Sequence, residues 1–238
     1  MTAVFSVTTD LVVMPDDPAA VCRLVASFLD SWNVTLRHNS SAAHEVRDAE
    51  RRLGHALPVT LRWIHVNVGT DTTGVGQQDL LVHPRSLDVD EHGVLVFRVE
   101  NQNCAQWGVR LEEMGSPDPP VVWKDAQTDA EWCSYQDRLS VDLLEMVLNE
   151  AMLLPGAHVL HTELTAGVPP ELDRLPRLAI PEHVFWAHPE GPPVRWYGMP
   201  DCLIRNDGDG WLWAFGRTAD DLDRAARTIP GDWTSLQG

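Results

Sequence analysis

His158-Val159-Leu160-His161, followed by Glu163, offers three metal-ligating side chains, and His183 and His188 are further candidates. Imidazole nitrogens and carboxylate oxygens are the donors that zinc and its neighbours take. Zinc-binding helices, however, space two histidines at i and i+4 with a base between them. Here the pair stands at i and i+3 in a proline-flanked stretch, in a chain with ten histidines, where accidental pairs are expected. Gly69-Thr70-Asp71-Thr72-Thr73-Gly74-Val75-Gly76 has the glycines of a phosphate cradle. It lacks the Lys-Ser/Thr pair of a P-loop and misses the dinucleotide spacing, so it reads as a surface loop. No Gly-x-Ser-x-Gly is present, and Ser116 falls in a turn. Nothing near Cys104 in the sequence lowers a thiol pKa. Glu112 and Glu113 point to opposite faces if their strand continues, so they form no acid/base dyad. The expectation is a protein that is not an enzyme and holds no metal or cofactor.

Charge is more informative. Thirty-five acids face eighteen bases, for a net charge of −17. Such a surface repels nucleic acid and anionic lipid and suits a basic protein partner. Aromatic and basic residues do not interleave on one face, which also speaks against nucleic acid. The candidate partner-binding residues are Glu100, Asn101 and Gln102, then Glu112 and Glu113, then the acidic segment with Asp129, Glu131, Trp132 and Tyr135. They combine negative charge, which speeds encounter with basic partners, with aromatic groups of the kind that anchor interfaces. Plain core packing is the competing account. Trp107 and Trp123 sit mid-strand and read as core, whereas Trp132 reads either way.

These residues need elements to carry them. Val94, Val96 and Arg98 alternate with Leu95, Phe97 and Val99, a well-covered strand. Glu100 to Asn103 is turn-prone, Gln106 to Leu111 returns, Gly115 to Pro120 breaks, and Val121-Val122-Trp123 starts a third strand. Asp79 to His83 precedes this meander as a strand, and Met1 to Met14 reads as a possible edge strand. Asp17-Pro18 opens a helix with Val21, Leu24, Val25, Phe28, Leu29 and Trp32 inward. After a polar link from Arg37, Ser41 caps a second helix with Ala43, Val46, Ala49, Glu50 and Leu53 inward, which Gly54 ends. Leu57-Pro58 begins a third with Leu61, Ile64 and Val68. Ser140 caps a helix with Val141, Leu144, Val147, Leu148, Ala151 and Met152 inward.

Leu160 to Pro181 is proline-rich and reads as irregular. His183 to Ala187, Val194 to Gly198 and Cys202 to Arg205 follow as strands. Asn206 to Gly210 is a hairpin turn, Trp211 to Phe215 returns, and Thr218 caps a last helix. No Gly/Ser linker precedes this tail, so a single domain over 1–238 is expected, with 155–238 extending the same sheet. The fold class is α+β: an antiparallel meander sheet flanked by helices, extended by a C-terminal β-hairpin and helix. No apolar run approaches the ~20 residues of a membrane span. The start lacks a basic n-region, and four scattered cysteines read as reduced thiols, so the expected location is cytoplasmic.

Several of these residues together resemble the SUKH superfamily, which includes bacterial immunity proteins and fungal cell-wall-assembly regulators. The opening part is Glu50, then Leu53-Gly54, Leu57-Pro58 and Leu61-Arg62. The central part is a strand ending in an Asn/Gln turn, Trp107-Gly108, and Asp118-Pro119-Pro120-Val121-Val122-Trp123. The resemblance covers roughly 41–154, with the helix after the meander; the C-terminal tail exceeds the minimal SUKH core. It implies a non-enzymatic protein-binding module, an immunity protein that neutralises a basic, nuclease-like toxin domain by occluding it. The alternative is an intracellular scaffold or regulator of cell-wall or signalling processes. A hydrolase or metal enzyme using His158 to Glu163 is the third reading.

Overall fold

The computed structural model describes residues 5–34, 41–69 and 76–236. Most of the polar link after Arg37 and of the glycine loop before Gly76 lies outside the described residues. The fold is α+β, with six helices and two antiparallel sheets among the described residues. The chain divides into two compact units, Pro15–Leu154 and Pro155–Gly238, the second completed by Met1–Met14. No helix among the described residues is long and apolar enough to cross a membrane.

In the unit Pro15–Leu154, helix α2 (Pro18–Ser31) starts as its sequence dictates. Asp17 accepts the Ala19 N–H and Pro18 takes the first helical position, where its missing N–H costs nothing. Val21, Val25, Phe28 and Leu29 form its buried stripe. Helix α3 (Ala42–Leu53) ends at Gly54, whose φ of +72° is the left-handed cap that glycine adopts without strain. Ser41 precedes α3 but bonds no helix N–H; its hydroxyl donates to Glu45 at 2.9 Å. Helix α4 (Val59–Asn67) follows Pro58 and buries Leu61 and Ile64.

The strands are β1 (Asp79–Leu81), β2 (Asp88–Val89), β3 (Val94–Glu100), β4 (Ala105–Arg110), β5 (Val121–Asp125) and β6 (Cys133–Gln136). They pair antiparallel in the order β1-β3-β4-β5-β6, with β2 also on β3. The meander β3–β4–β5 is the one expected. The strand β6 was not, because Cys-Ser-Tyr-Gln has no apolar alternation and is held by its ladder to β5. Helix α5 (Leu139–Met152) packs on α2, α4 and β6 and is buried at every residue. Its first turn is capped from a distance: Asp118 accepts the Ser140 N–H at 2.8 Å and the Ser140 hydroxyl at 2.6 Å.

The C-terminal unit contains α1 (Val7–Asp10), β7 (His158–Glu163), β8 (Arg195–Met199), β9 (Cys202–Asp207), β10 (Trp211–Gly216), α6 (Ala219–Thr228) and β11 (Thr234–Ser235). The sheet order is β11-β7-β10-β9-β8. Four expectations need correction. The tail does not extend the first sheet; among the described residues its strands pair only with one another. The first sheet offers short edges, three residues in β1 and four in β6, whereas β7 matches β10 over six residues. Longer registered ladders win. Second, the expected single domain resolves into the two units above. Third, Leu160 to Glu163 belongs to the strand β7 (His158–Glu163) rather than to irregular chain, and His183 contributes only an isolated bridge to Val194. Fourth, Val7–Asp10 is one helical turn, not an edge strand; residues 1–4 lie outside the described residues. The core comprises Tyr197, Ile204, Leu212, Ala214, Leu222 and Ile229 among others, with α6 over the sheet. Thr218 and Asp221 form a reciprocal capping box at the start of α6.

Candidate interaction surface

Strand alternation gives the first sheet an inner and an outer face. Trp107, Val109 and Val121 point inward and are buried. Gln106, Gly108 and Arg110 share the outer face with Val122 and Lys124, because Gly108 opposes Val122 and Gln106 opposes Lys124. On β3, Val94 and Val96 belong to the same outer face, opposite Arg110 and Gly108. The register then shifts between Val96 and Arg98. This bulge adds one residue, so Arg98 stands opposite Trp107 and turns inward rather than sharing the face of Val94 and Val96.

The outer face has its own small apolar cluster. Trp132 lies on Val94 and Val122, with Val96 beside them. Its indole Nε1 donates to Asp90 Oδ2 at 2.7 Å, and Lys124 Nζ sits 4.7 Å from the ring centroid. Lys124 also lies 3.5 Å from Asp90, and Arg110 donates to the Trp132 carbonyl at 3.2 Å. Burial pushes the Asp90 carboxyl up, but the N–H groups of Val94 and His92, the indole and Lys124 outweigh it and hold the group below its usual range. Two depressions border this node. One of about 320 Å³ is lined by His92, Arg110, Asp129, Glu131 and Trp132. The other, of about 350 Å³, is lined by Asp88, Asp90, Val96, Val99 and Gln106 among others.

The expected contact residues divide. Asp129 and Glu131 are exposed at the first depression, and Trp132 forms its wall. Glu112 is exposed and Glu113 half-buried, in a 3-10 turn rather than a continued strand. Asn101 and Gln102 are exposed at the β3–β4 turn, with Asn101 donating to the Gln77 carbonyl at 2.8 Å. That turn lies at the far end of β3 from the 3-10 turn, about 20 Å away at ~3.3 Å per residue. The patches therefore do not converge.

Three of the nine are interior residues instead. Glu100, 1 % exposed, accepts from Gln78 Nε2 and from the N–H groups of Gln102 and Cys104, and so ties the turn. Trp132 is 7 % exposed and committed to Asp90. Tyr135, 8 % exposed, meets Trp107 edge-on at 5.9 Å, and burial pushes its hydroxyl well above the ordinary range. The expectation that Trp132 and Tyr135 present their rings to a partner is thus corrected: both rings cover the protein's own sheet.

Sequence reasoning missed the charged interior. Arg98 Nη2 lies 2.8 Å from Asp79 and Nη1 lies 3.2 Å from Asp142, with its guanidinium 4.0 Å over the Trp107 ring. Desolvation alone would lower the arginine pKa, but Asp79 and Asp142 raise it on balance. Glu145 is also buried. Glu150 accepts the N–H groups of Gly76 and Asp79 at 2.8 Å, that of Gln78 at 3.2 Å, and that of Gln77. An arginine in mid-strand and acids at i and i+3 on an apolar helix were the available signals, but their partners are far off in sequence. These groups are sealed from solvent, which fits a structural role.

The metal candidates are separated by their strand. His158 and His161 occupy opposite faces of β7, and the His161 ring instead packs at a tilt against those of Trp211 and Trp213, with centroids 5.7 and 5.1 Å away. Among the described residues no cluster of histidine, cysteine, aspartate or glutamate is placed to hold a metal ion. Comparison with known proteins gave no match: no family model, no curated protein and no solved structure is similar to this chain.

Proposed function

We propose that the protein is a non-enzymatic binding module whose recognition surface is the outer face of the sheet β1–β6. The observation that carries this reading is a part-apolar sheet face bordered by the carboxylates of Asp88, Asp129 and Glu131 in a chain of net charge −17. Such a surface complements a basic partner, speeding encounter by charge while an apolar centre supplies affinity.

The partner class comes from the SUKH resemblance: a cognate toxin domain, basic and nuclease-like, neutralised by occlusion. The motif residues are consistent with it as a scaffold. Glu50 accepts the Leu57 N–H at 2.9 Å and lies 3.4 Å from Arg62, which joins α3 to α4. Occlusion requires no catalytic group, only an interface of about 1,600 Å² in total. The test is affinity capture from the source cells, read by mass spectrometry at low and high salt. Recovery of one basic toxin-like protein, lost as salt rises, supports the reading. Recovery of an endogenous envelope or signalling complex replaces it with a scaffold.

A further inference from the structure

We propose that the Trp211 face of the C-terminal sheet is a second binding site, which takes an arginine side chain of a basic polypeptide. This goes beyond the function proposed above and rests on different residues. Trp211, 39 % exposed, is the one exposed tryptophan among the described residues. Alternation along β10 puts Trp211 and Trp213 on one face, while Leu212 and Ala214 enter the core. Directly opposed residues on neighbouring strands share a face. Trp211 opposes Glu163 and Trp213 opposes His161 on β7. The three rings form a cluster, with Trp211 and Trp213 centroids 6.4 Å apart. Glu163 is exposed and has no hydrogen-bond or ion-pair partner among the described residues. An open indole and an uncommitted carboxylate thus stand side by side.

The same sheet face already holds one guanidinium in this way. Arg205 opposes Trp196 on β8, with its guanidinium carbon 5.6 Å from the Trp196 ring and its Nε 2.8 Å from Asp207. The internal unit is an indole, a guanidinium and a carboxylate on one face. Trp211 and Glu163 supply the indole and the carboxylate of a second such unit without its cation. A guanidinium matches both, because it stacks flat on an aromatic ring while its N–H fork meets a carboxylate. The net charge of −17 favours a cationic guest over a neutral one.

The full-length chain should be titrated at low salt with the peptide acetyl-Gly-Arg-Gly-Arg-Gly-amide, following the indole N–H resonances by NMR. The Trp211 resonance is identified by its loss in Trp211→Phe. A saturable shift of that resonance is expected, with the dissociation constant rising about fivefold in Trp211→Ala. A rise of about two- to fivefold is expected in Glu163→Gln. The citrulline version of the peptide has the same shape without charge and should bind no tighter than the Glu163→Gln variant binds arginine. Circular dichroism confirms that each variant is folded; both sites are at the surface. Equal binding of citrulline and arginine peptides overturns the proposal. So does an unshifted Trp211 resonance up to about 10 mM peptide, or tighter binding of a neutral trisaccharide, which would make the ring cluster a sugar platform.

Discussion

Arg98 and Asp79, each 2 % exposed at the side chain, meet at 2.8 Å in the interior of the unit Pro15–Leu154. Asp142 completes the contact from α5 at 3.2 Å. A buried pair of this kind gains little over apolar packing, but removal of one member strands the others. Arg98→Met should therefore cost about 3–5 kcal/mol, read as a lower urea midpoint with an unchanged slope. The triple variant Arg98→Met, Asp79→Asn, Asp142→Asn should recover most of that loss. A triple variant as unstable as the single one would refute the charge argument.

Glu150 sets a pH dependence. Burial first, and Asp79 second, push its carboxyl up to about 7 against the pull of the backbone N–H bonds. An unfolded glutamate titrates at ~4.3. Between those values the folded state binds more protons than the unfolded state. The contribution is thus complete below the unfolded value and is lost as pH rises through about 7. The loss is roughly 3–4 kcal/mol. Subtracting the stability curve of Glu150→Gln from that of wild type between pH 4 and 8 isolates this slope; a flat difference would assign the proton elsewhere.

Asp90 is the hub of the outer face. Asp90→Ala removes the acceptor for the N–H groups of His92 and Val94 and for the Trp132 indole, and takes the carboxylate from Lys124. The expected cost is about 2 kcal/mol. The Trp132 indole N–H should then exchange with solvent faster, a change that hydrogen-exchange NMR reads directly.

Gly54 tests backbone strain without steric conflict. Its φ is +72°, and a Cβ placed there meets no atom within 4 Å. Gly54→Ala should cost about 1 kcal/mol from the left-handed backbone alone. Gly54→Asn should cost less, since asparagine tolerates that region. Thermal unfolding of the two variants gives the order.

Charge at the rim should govern rate rather than stability. Asp129→Lys with Glu131→Lys changes two exposed residues, so the melting temperature should stay within a few degrees. Association with a basic partner should slow about tenfold at low salt and converge with wild type at high salt. An association rate indifferent to both changes would remove this rim from the interface.

Much of the fold was legible because it is written in local physics. Asp17-Pro18 starts α2, Gly54 ends α3, and Thr218 caps α6 through side chains and dihedrals within a few residues. The meander β3–β4–β5 follows from alternation interrupted by turn residues and prolines. The candidate site was legible only in part. Asp129 and Glu131 could be read as exposed acids, but Glu100, Trp132 and Tyr135 could not be read as interior.

What tertiary structure alone decided is where a residue finds a partner distant in sequence. A bulge after Val96 turns Arg98 inward, where Asp142 waits 44 residues away. An apolar stripe identifies one face of α5; it says nothing of whether the face bearing Asp142, Glu145 and Glu150 is covered too, and here it is. The tail after Pro155 forms its own sheet for the same reason. Strand propensity is local, but which strands pair depends on the length of ladder each neighbour offers, and that exists only once the chain has closed on itself.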